Sequence, residues 1–428
     1  MSPHIVVQLT NPLPDRIPSW QHFVHDKSIC RSSTHTAIDQ ALAQYNQQVF
    51  VTSEYQPRGN SWTRDEVEAG LNRFYRIILR NTRHIPAGLL QEISINTDVQ
   101  EARPPQFVTT PLPDFSRATS TSSRKRHPML NFLSSVDVTN YQCKIAVLDT
   151  GVNNSHPELN EAMIQGMDFV DILDGADDFV GDFLGVDPEP EDEVGHGTHV
   201  AGIIAGKGIN MPQGIAPWCS VLPVKVLGAF KDGNEVVGAG LLENIDAGIK
   251  YAVDQGADII NMSLGVQHAG GGLPHSEVIA YAKKKGVTVV AAAGNDGQNK
   301  KYYPGANPYV IAVGAADNSG NVTPFSTYGA HVSVIAPGAG IYSSYGKKDY
   351  AYSSGTSQAA PFVSGSIALM KAVANTAGST LKDHQIKYLI KHTSDRVSTR
   401  IKDLRAGFGH INVPDSIRLL QYKLNFSS

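Results

Sequence analysis

Cysteine is scarce in this chain of 428 residues, with only Cys30, Cys143 and Cys219. An odd, sparse set excludes the disulfide framework of a small secreted domain. Charge is also scarce, at 18% of residues, and 36 Lys and Arg against 40 Asp and Glu leave a formal net charge of −4. That balance argues against a nucleic-acid or membrane-surface binder. No apolar run reaches the roughly 18 residues that span a bilayer. The first nine residues lack the basic start and long apolar stretch of a signal peptide. Thiols without a disulfide pattern and the missing signal lead to the expectation of a cytoplasmic or otherwise intracellular protein, with non-classical export left open. What is present is a 41% hydrophobic composition, as in globular proteins. The length suits one large domain and one smaller one.

Residues 111–128 divide the chain. They are rich in Ser, Thr and Pro, follow no apolar period, and carry the basic cluster Arg124-Lys125-Arg126. Residues 1–110 read as a small α+β domain, with strands expected near 5–9, 49–52, 74–79 and 99–102. Thr63 and Glu66 have the spacing of a helix capping box, which predicts a helix of about ten residues before the third strand. A short amphipathic helix is expected over 87–95. Residues 129–428 alternate apolar strands (144–148, 220–227, 258–262, 287–292) with helical patterns (241–254, 275–285, 356–373, 381–392). This alternation predicts an α/β fold: a parallel sheet covered by helices on both faces. Residues 1–128 carry 14 basic and 11 acidic residues, residues 129–428 carry 22 and 29.

Four segments of the second part put a polar group at the end of an apolar strand or the start of a helix. Asp149 closes the apolar run Ile145-Ala146-Val147-Leu148, and sites of open parallel sheets form at the carboxyl ends of strands. His196 stands between Gly195 and Gly197 at the start of a small-residue helix. His199 follows at the i+3 spacing, but no Glu and no third ligand completes a metal motif. Asn295 follows Val289-Val290-Ala291-Ala292-Ala293-Gly294, where an amide can donate to a developing oxyanion. Ser357 sits at the start of a long helix after Gly355-Thr356, where unpaired N–H groups favour negative charge. Each segment alone also reads as an ordinary cap or turn.

Together, in this order, they resemble the subtilisin-like serine proteases (subtilases, peptidase S8). The segments around Asp149, His196 and Ser357 match that family's three catalytic motifs. Asn261-Met262-Ser263-Leu264-Gly265, Ala293-Gly294-Asn295, Ala336-Pro337-Gly338 and Gly407-Phe408-Gly409-His410 match further ones. The resemblance covers roughly residues 130–420. It implies a serine endopeptidase working through an acyl-enzyme, with Ser357 as nucleophile, His196 as base and Asp149 as its partner. Asn295 would hold the oxyanion. Ser263-Leu264-Gly265 would form one wall of the S1 pocket and Ala293-Gly294, with the alanines before them, the other. Gln358 and Phe362 stand where the family usually has Met and His. The alternative is a catalytically silent subtilase-fold binding module.

The resemblance also implies an N-terminal propeptide that restrains a zymogen, and residues 74–103 weakly resemble one. The expected partners are polypeptide substrates and the chain's own N-terminal domain as intramolecular inhibitor, with no nucleic acid and no membrane. No cofactor is required by the chemistry, and structural calcium is left open. Glu158 stands at a calcium-ligand position of the family, but residues 207–213 lack its usual Asn-rich loop. Residues 168–193 hold eleven Asp and Glu and no Lys or Arg. They suit a solvated loop, a calcium site, or recognition of basic side chains near the scissile bond, which Asp296 would reinforce.

Overall fold

A computed structural model describes residues 3–425 apart from 15, 30, 35, 111–115, 118–140, 173–176 and 269–271. The cluster Arg124-Lys125-Arg126, Cys30 and most of the expected linker lie outside the described residues.

The N-terminal part is an α+β unit. Strands β1 (His4–Leu9), β2 (Val49–Ser53), β3 (Phe74–Leu79) and β4 (Val99–Arg103) form an antiparallel sheet in the order β2-β3-β1-β4. One apolar face closes over helices α2 (Ile38–Gln44) and α4 (Leu89–Ser94), Phe23 of α1 (Trp20–His25) packs against Ile78 on the other face, and α3 (Arg64–Glu68) lies just before β3. Sequence periodicity did not reveal α1 or α2, which are only six and seven residues long. The capping box forms as expected between Thr63 and Glu66. Its helix spans five residues rather than about ten, because Gly70 follows in the left-handed region at φ 80°.

Beyond Arg103 the chain leaves this sheet. Strand β5 (Phe107–Thr110) joins a second domain, as does β6 (Ser116–Arg117). That domain is built on β7 (Lys144–Asp149), β8 (Met167–Asp168), β9 (Phe179–Val180), β10 (Ser220–Lys225), β11 (Gly228–Asp232), β12 (Glu235–Leu241) and β13 (Ile259–Met262). They are followed by β14 (Val266–Gln267), β15 (Thr288–Ala292), β16 (Tyr302–Tyr303), β17 (Val310–Ala316), β18 (Val332–Pro337), β19 (Ile341–Tyr345) and β20 (Asp349–Ser353). Seven form the parallel sheet β18-β17-β15-β13-β7-β10-β8. Strands buried on both faces explain the continuous apolar runs, such as Ile145–Leu148 at 0% exposure.

Helices cover both faces. On one lie α5 (His196–Ala205), α8 (Thr356–Thr376), α9 (Asp383–Thr393) and α10 (Val413–Asn425), and on the other α6 (Leu242–Asp254) and α7 (Ser276–Lys284). The expected α/β class and N-terminal α+β unit are thus observed. After β7 the chain turns first to β10 on one side and then to β13 on the other. That switch opens a crevice at the carboxyl ends of the strands. Register aligns Leu148 with Met262 and Met262 with Ala291, so Asp149, Ser263 and Ala292 come out along one edge.

Candidate active site

Asp149 and His196 meet at this edge, with His196 Nδ1 2.6 Å from Asp149 Oδ1 and both residues buried. Such close approach needs Gly197: a Cβ there would lie 2.0 Å from the carbonyl oxygen of Gly151. Burial works against the imidazolium, but the charge and hydrogen bond of Asp149, with Asp192 behind, outweigh it. The His196 pKa is held above its ordinary value. His196 Nε2 is buried and has no hydrogen-bond partner among the described residues. His199 faces away: its Nε2 lies 3.2 and 3.1 Å from the carbonyls of Ile341 and Ala351. Burial pushes its pKa down to about 4.

Ser357 occupies the first turn of α8. Pro361 lies four residues on and has no N–H for the Ser357 carbonyl. That carbonyl instead accepts from Ser263 Oγ at 2.8 Å, and Ser357 Oγ donates to the Ser263 carbonyl at 3.1 Å. The hydroxyl thus rests on Ser263, at the carboxyl end of β13, and not on His196. Asn295 is fastened to the same turn: its Oδ1 accepts from the Thr356 N–H at 2.8 Å and from Thr356 Oγ1 at 2.9 Å. With the oxygen committed, the amide NH2 is the end left to donate into the cleft. Leu264 and Ala293 are buried beside this turn, with Gly265 and Gly294 next to them. Gln358 is buried too, and neither of its amide atoms has a partner among the described residues. Phe362 packs in the apolar core beneath.

Part of the acidic stretch is spent inside the fold: Asp168, Asp171 and Asp192 are buried. Asp192 is buried and caps the start of α5. One oxygen accepts from Thr150 Oγ1 (2.8 Å), the Val194 N–H (3.1 Å) and the Gly195 N–H (2.7 Å). The other accepts from the N–H (2.8 Å) and Oγ1 (2.7 Å) of Thr198. Thr150 Oγ1 also accepts from the Gly197 N–H at 3.0 Å. Thr150 and Asp192 therefore tie the strand that ends in Asp149 to the helix that begins with His196. Sequence reading counted Asp192 among eleven loop carboxylates. Its place four residues before His196, just ahead of a helix start, was the available signal. Asp168 is buried 2.9 Å from Lys225, and burial pushes its pKa up to about 7 despite that cation. Glu193 accepts from the Asp182 N–H. Asp177, Asp178, Asp182, Glu189, Glu191 and Glu193 are exposed.

Glu158 does not fit a cation site. Its carboxylate accepts from the backbone N–H groups of Gly208 (2.7 Å), Ile209 (3.0 Å) and Asn210 (2.6 Å), and from the Tyr350 hydroxyl (3.3 Å). The loop presents donors, whereas calcium needs oxygen acceptors. Among the described residues, no group of three or more His, Cys, Asp or Glu could hold a metal ion.

The end of the N-terminal part is built into a sheet of the second domain. Strand β5 pairs antiparallel with β12, Val108 opposite Gly240 and Thr110 opposite Gly238. Val108 is buried in the same apolar cluster as Leu227, Leu242, Ile245 and Leu264.

A model of the subtilase family, peptidase S8, matches residues 141–409. The chain belongs to that family. Thermitase from Thermoactinomyces vulgaris is 39% identical over 257 residues, which are 60% of this chain and 82% of thermitase. The major intracellular serine protease of Bacillus subtilis (strain 168) is 42% identical over 236 residues, 54% of this chain and 68% of that protein. A solved structure of the prenylagaramide maturation protease PagA is also similar, at 28% identity and a TM-score of 0.55. It covers 69% of this chain and 99% of that one. This subtilase is a serine endopeptidase, and its substrates are polypeptides. Among the described residues, no helix is long and apolar enough to cross a membrane.

Proposed function

We propose that this subtilase cleaves peptide bonds with Ser357, His196, Asp149 and Asn295, and that its N-terminal domain restrains it until processed. The observation that carries the chemistry is the buried 2.6 Å bond between Asp149 and His196 on the edge where Ser263 and Asn295 hold the Ser357 turn. For reaction the Ser357 hydroxyl turns from Ser263 to His196 Nε2. Its oxygen attacks the scissile carbonyl as the proton passes to that nitrogen, and Asp149 stabilises the imidazolium. The oxyanion is met by the Asn295 NH2 and the Ser357 N–H. Collapse breaks the C–N bond, and the leaving amine takes the proton from His196. Water then repeats the sequence on the acyl-enzyme and releases the acid.

Restraint is supported by β5 lying against β12 in the manner of an added substrate strand. The domain boundaries that go with it are an inhibitory unit over residues 1–110, a processing segment over 111–128 and a catalytic unit over 129–428. A preference for basic substrate side chains would rest on the exposed Asp177, Asp178, Glu189 and Glu191. Asp168 and Asp192 are committed elsewhere.

Two measurements test this reading. A fluorophosphonate should label Ser357 once the N-terminal domain is removed. No labelling and no cleavage of peptides would leave a silent binding module. The wild-type chain should shorten on storage while Ser357→Ala stays full length. If both stay intact, self-processing is wrong.

A further inference from the structure

Strands β13 and β15 are neighbours in the sheet, and they leave it as Ser263-Leu264-Gly265 and Ala293-Gly294-Asn295. Ser263 holds the Ser357 hydroxyl and Asn295 holds Thr356, so the two segments flank the nucleophile. A substrate residue whose carbonyl carbon reaches Ser357 Oγ must send its side chain into the slot between them. The size of that slot therefore selects which residue is cut after.

A tyrosine ring stands in it. A Cβ on Gly265 would be 3.2 Å from Tyr302 Cβ and 3.8 Å from Cδ1. A Cβ on Gly294 would be 2.6 Å from Cδ2 and 2.9 Å from Cε2 of the same ring. One edge thus faces each segment. Three links keep the ring there. Tyr302 pairs with Gln267 in the β14–β16 ladder. The Gln267 side-chain amide donates to its hydroxyl at 2.9 Å. That hydroxyl donates to Asp296 at 3.3 Å. Asp296 is itself held by Thr327 Oγ1 (2.5 Å), the Gln298 N–H (3.0 Å) and Lys300 (3.2 Å). Its carboxylate is occupied as an anchor of the tyrosine, which removes it as a ready partner for an arginine or lysine entering the slot.

We propose that Tyr302 sets the specificity of this peptidase by closing the slot beside Ser357, so that it cuts after glycine, alanine or serine. The inference rests on the peptidase reading above and adds the substrate class. A ring that touches both walls leaves room for hydrogen, methyl or hydroxymethyl. A larger side chain must displace the ring and break its two hydroxyl bonds. Even one methylene in such a pocket discriminates about tenfold or more, so a phenyl group should be excluded by at least that factor.

The test uses the protein after its N-terminal domain has been cleaved away, as in the labelling experiment above, and two peptidyl diphenyl phosphonates that differ only in the residue next to phosphorus, an alanine or a phenylalanine analogue. A small alkyl fluorophosphonate is the control for a working Ser357. The wild type should react with the alanine reagent at least about tenfold faster than with the phenylalanine one. Tyr302→Gly should reverse that order. Tyr302→Phe, which keeps the ring without its hydroxyl anchors, should still favour alanine. Tyr302→Ala serves in place of the glycine variant if that one fails to fold. Fluorophosphonate labelling with equal rates for the pair, a phenylalanine preference in the wild type, reaction with neither, or an unchanged order in Tyr302→Gly and Tyr302→Ala would each overturn the proposal. No labelling by any reagent would instead sink the peptidase reading on which it stands.

Discussion

The two domains meet through a surface unlike either interior. Each core is apolar: the catalytic sheet is sandwiched between helices, and the N-terminal sheet closes over its own. The contact between them joins Val6, Trp20, Leu71 and Phe74 to an apolar cluster of the catalytic domain and, unlike either core, also buries charge. Arg76 lies on Trp20 and donates to Glu54 through Nε (3.1 Å) and Nη2 (2.7 Å). Its Nη2 also reaches Asn244 of α6 at 3.2 Å. His4 and Arg103 grip Glu243 at 2.6 and 3.2 Å. Burial opposes the charge of Glu243, but these two partners outweigh it and hold its pKa at about 2. Lys250 is 2.8 Å from Glu66, and Lys284 and Lys285 pair with Glu68 and Asp65. An apolar core tolerates imperfect partners, whereas a buried ion pair demands its own counterpart. The contrast fits a domain that docks in one orientation only.

The largest expected effect leaves that contact untouched. Ser357→Ala should lower peptide hydrolysis by at least about 10⁴-fold. The melting curve of the full chain should hardly move, so chemistry and docking separate if rate and calorimetry are measured on one preparation. Next comes the contact itself. Arg103→Met removes the arginine partner of Glu243, a charge of α6 buried across the contact, and breaking such a pair costs about 3–5 kcal/mol. Scanning calorimetry should then show an early transition of the N-terminal unit. A single unshifted transition would mean that the ion network does not hold the domains together.

Asp192→Asn should cost about tenfold to a hundredfold in kcat through misplacement of His196, and it carries a pH signature. His196 acts as a base only when neutral, so wild-type activity rises with pH through a pKa held above the ordinary value. Asp149 and Asp192 are the titratable groups that raise it. Removing the Asp192 charge destabilises the imidazolium, so the acid limb of kcat/KM against pH should move to lower pH. A fall in rate with an unmoved limb would leave Asp192 as a helix cap alone.

The smallest expected effect concerns Glu158. Glu158→Ala orphans three loop N–H groups, at about 1–3 kcal/mol. The drop in melting temperature should be the same with and without a calcium chelator. A drop abolished by chelation would mean that Glu158 holds a cation.

Much of the site was legible because its chemistry is local in the chain. Asp149 ends an apolar strand, His196 and Ser357 begin small-residue helices, and Asn295 follows a buried strand. Short-range pattern exposes such residues. The α/β alternation was legible for the same reason, whereas β17, β18 and α10 received no explicit expectation. Asp192 hid in a run of carboxylates, since composition does not say which of eleven acids turns inward. Glu243 and Asn244 drew no expectation within the helical pattern over 241–254, although both are fully buried beneath the N-terminal domain. The partner of Glu243 is His4, 239 residues away. Tyr302 carried no motif signal, because its effect depends on Gly265 and Gly294 lying on either side of its ring.

The sequence by itself determined the family, the fold class and the identity of the polar groups at the sheet edge. Those follow from periodicity and short motifs, which depend on neighbours a few residues apart. Only the tertiary structure decided which carboxylates are spent internally, that Glu158 meets backbone donors, that β5 pairs with β12, and that the ring of Tyr302 stands between Gly265 and Gly294. Each of these turns on desolvation and contact between residues far apart in the chain. No local pattern encodes that distance, and the free energy of a charge or a ring depends on what finally surrounds it.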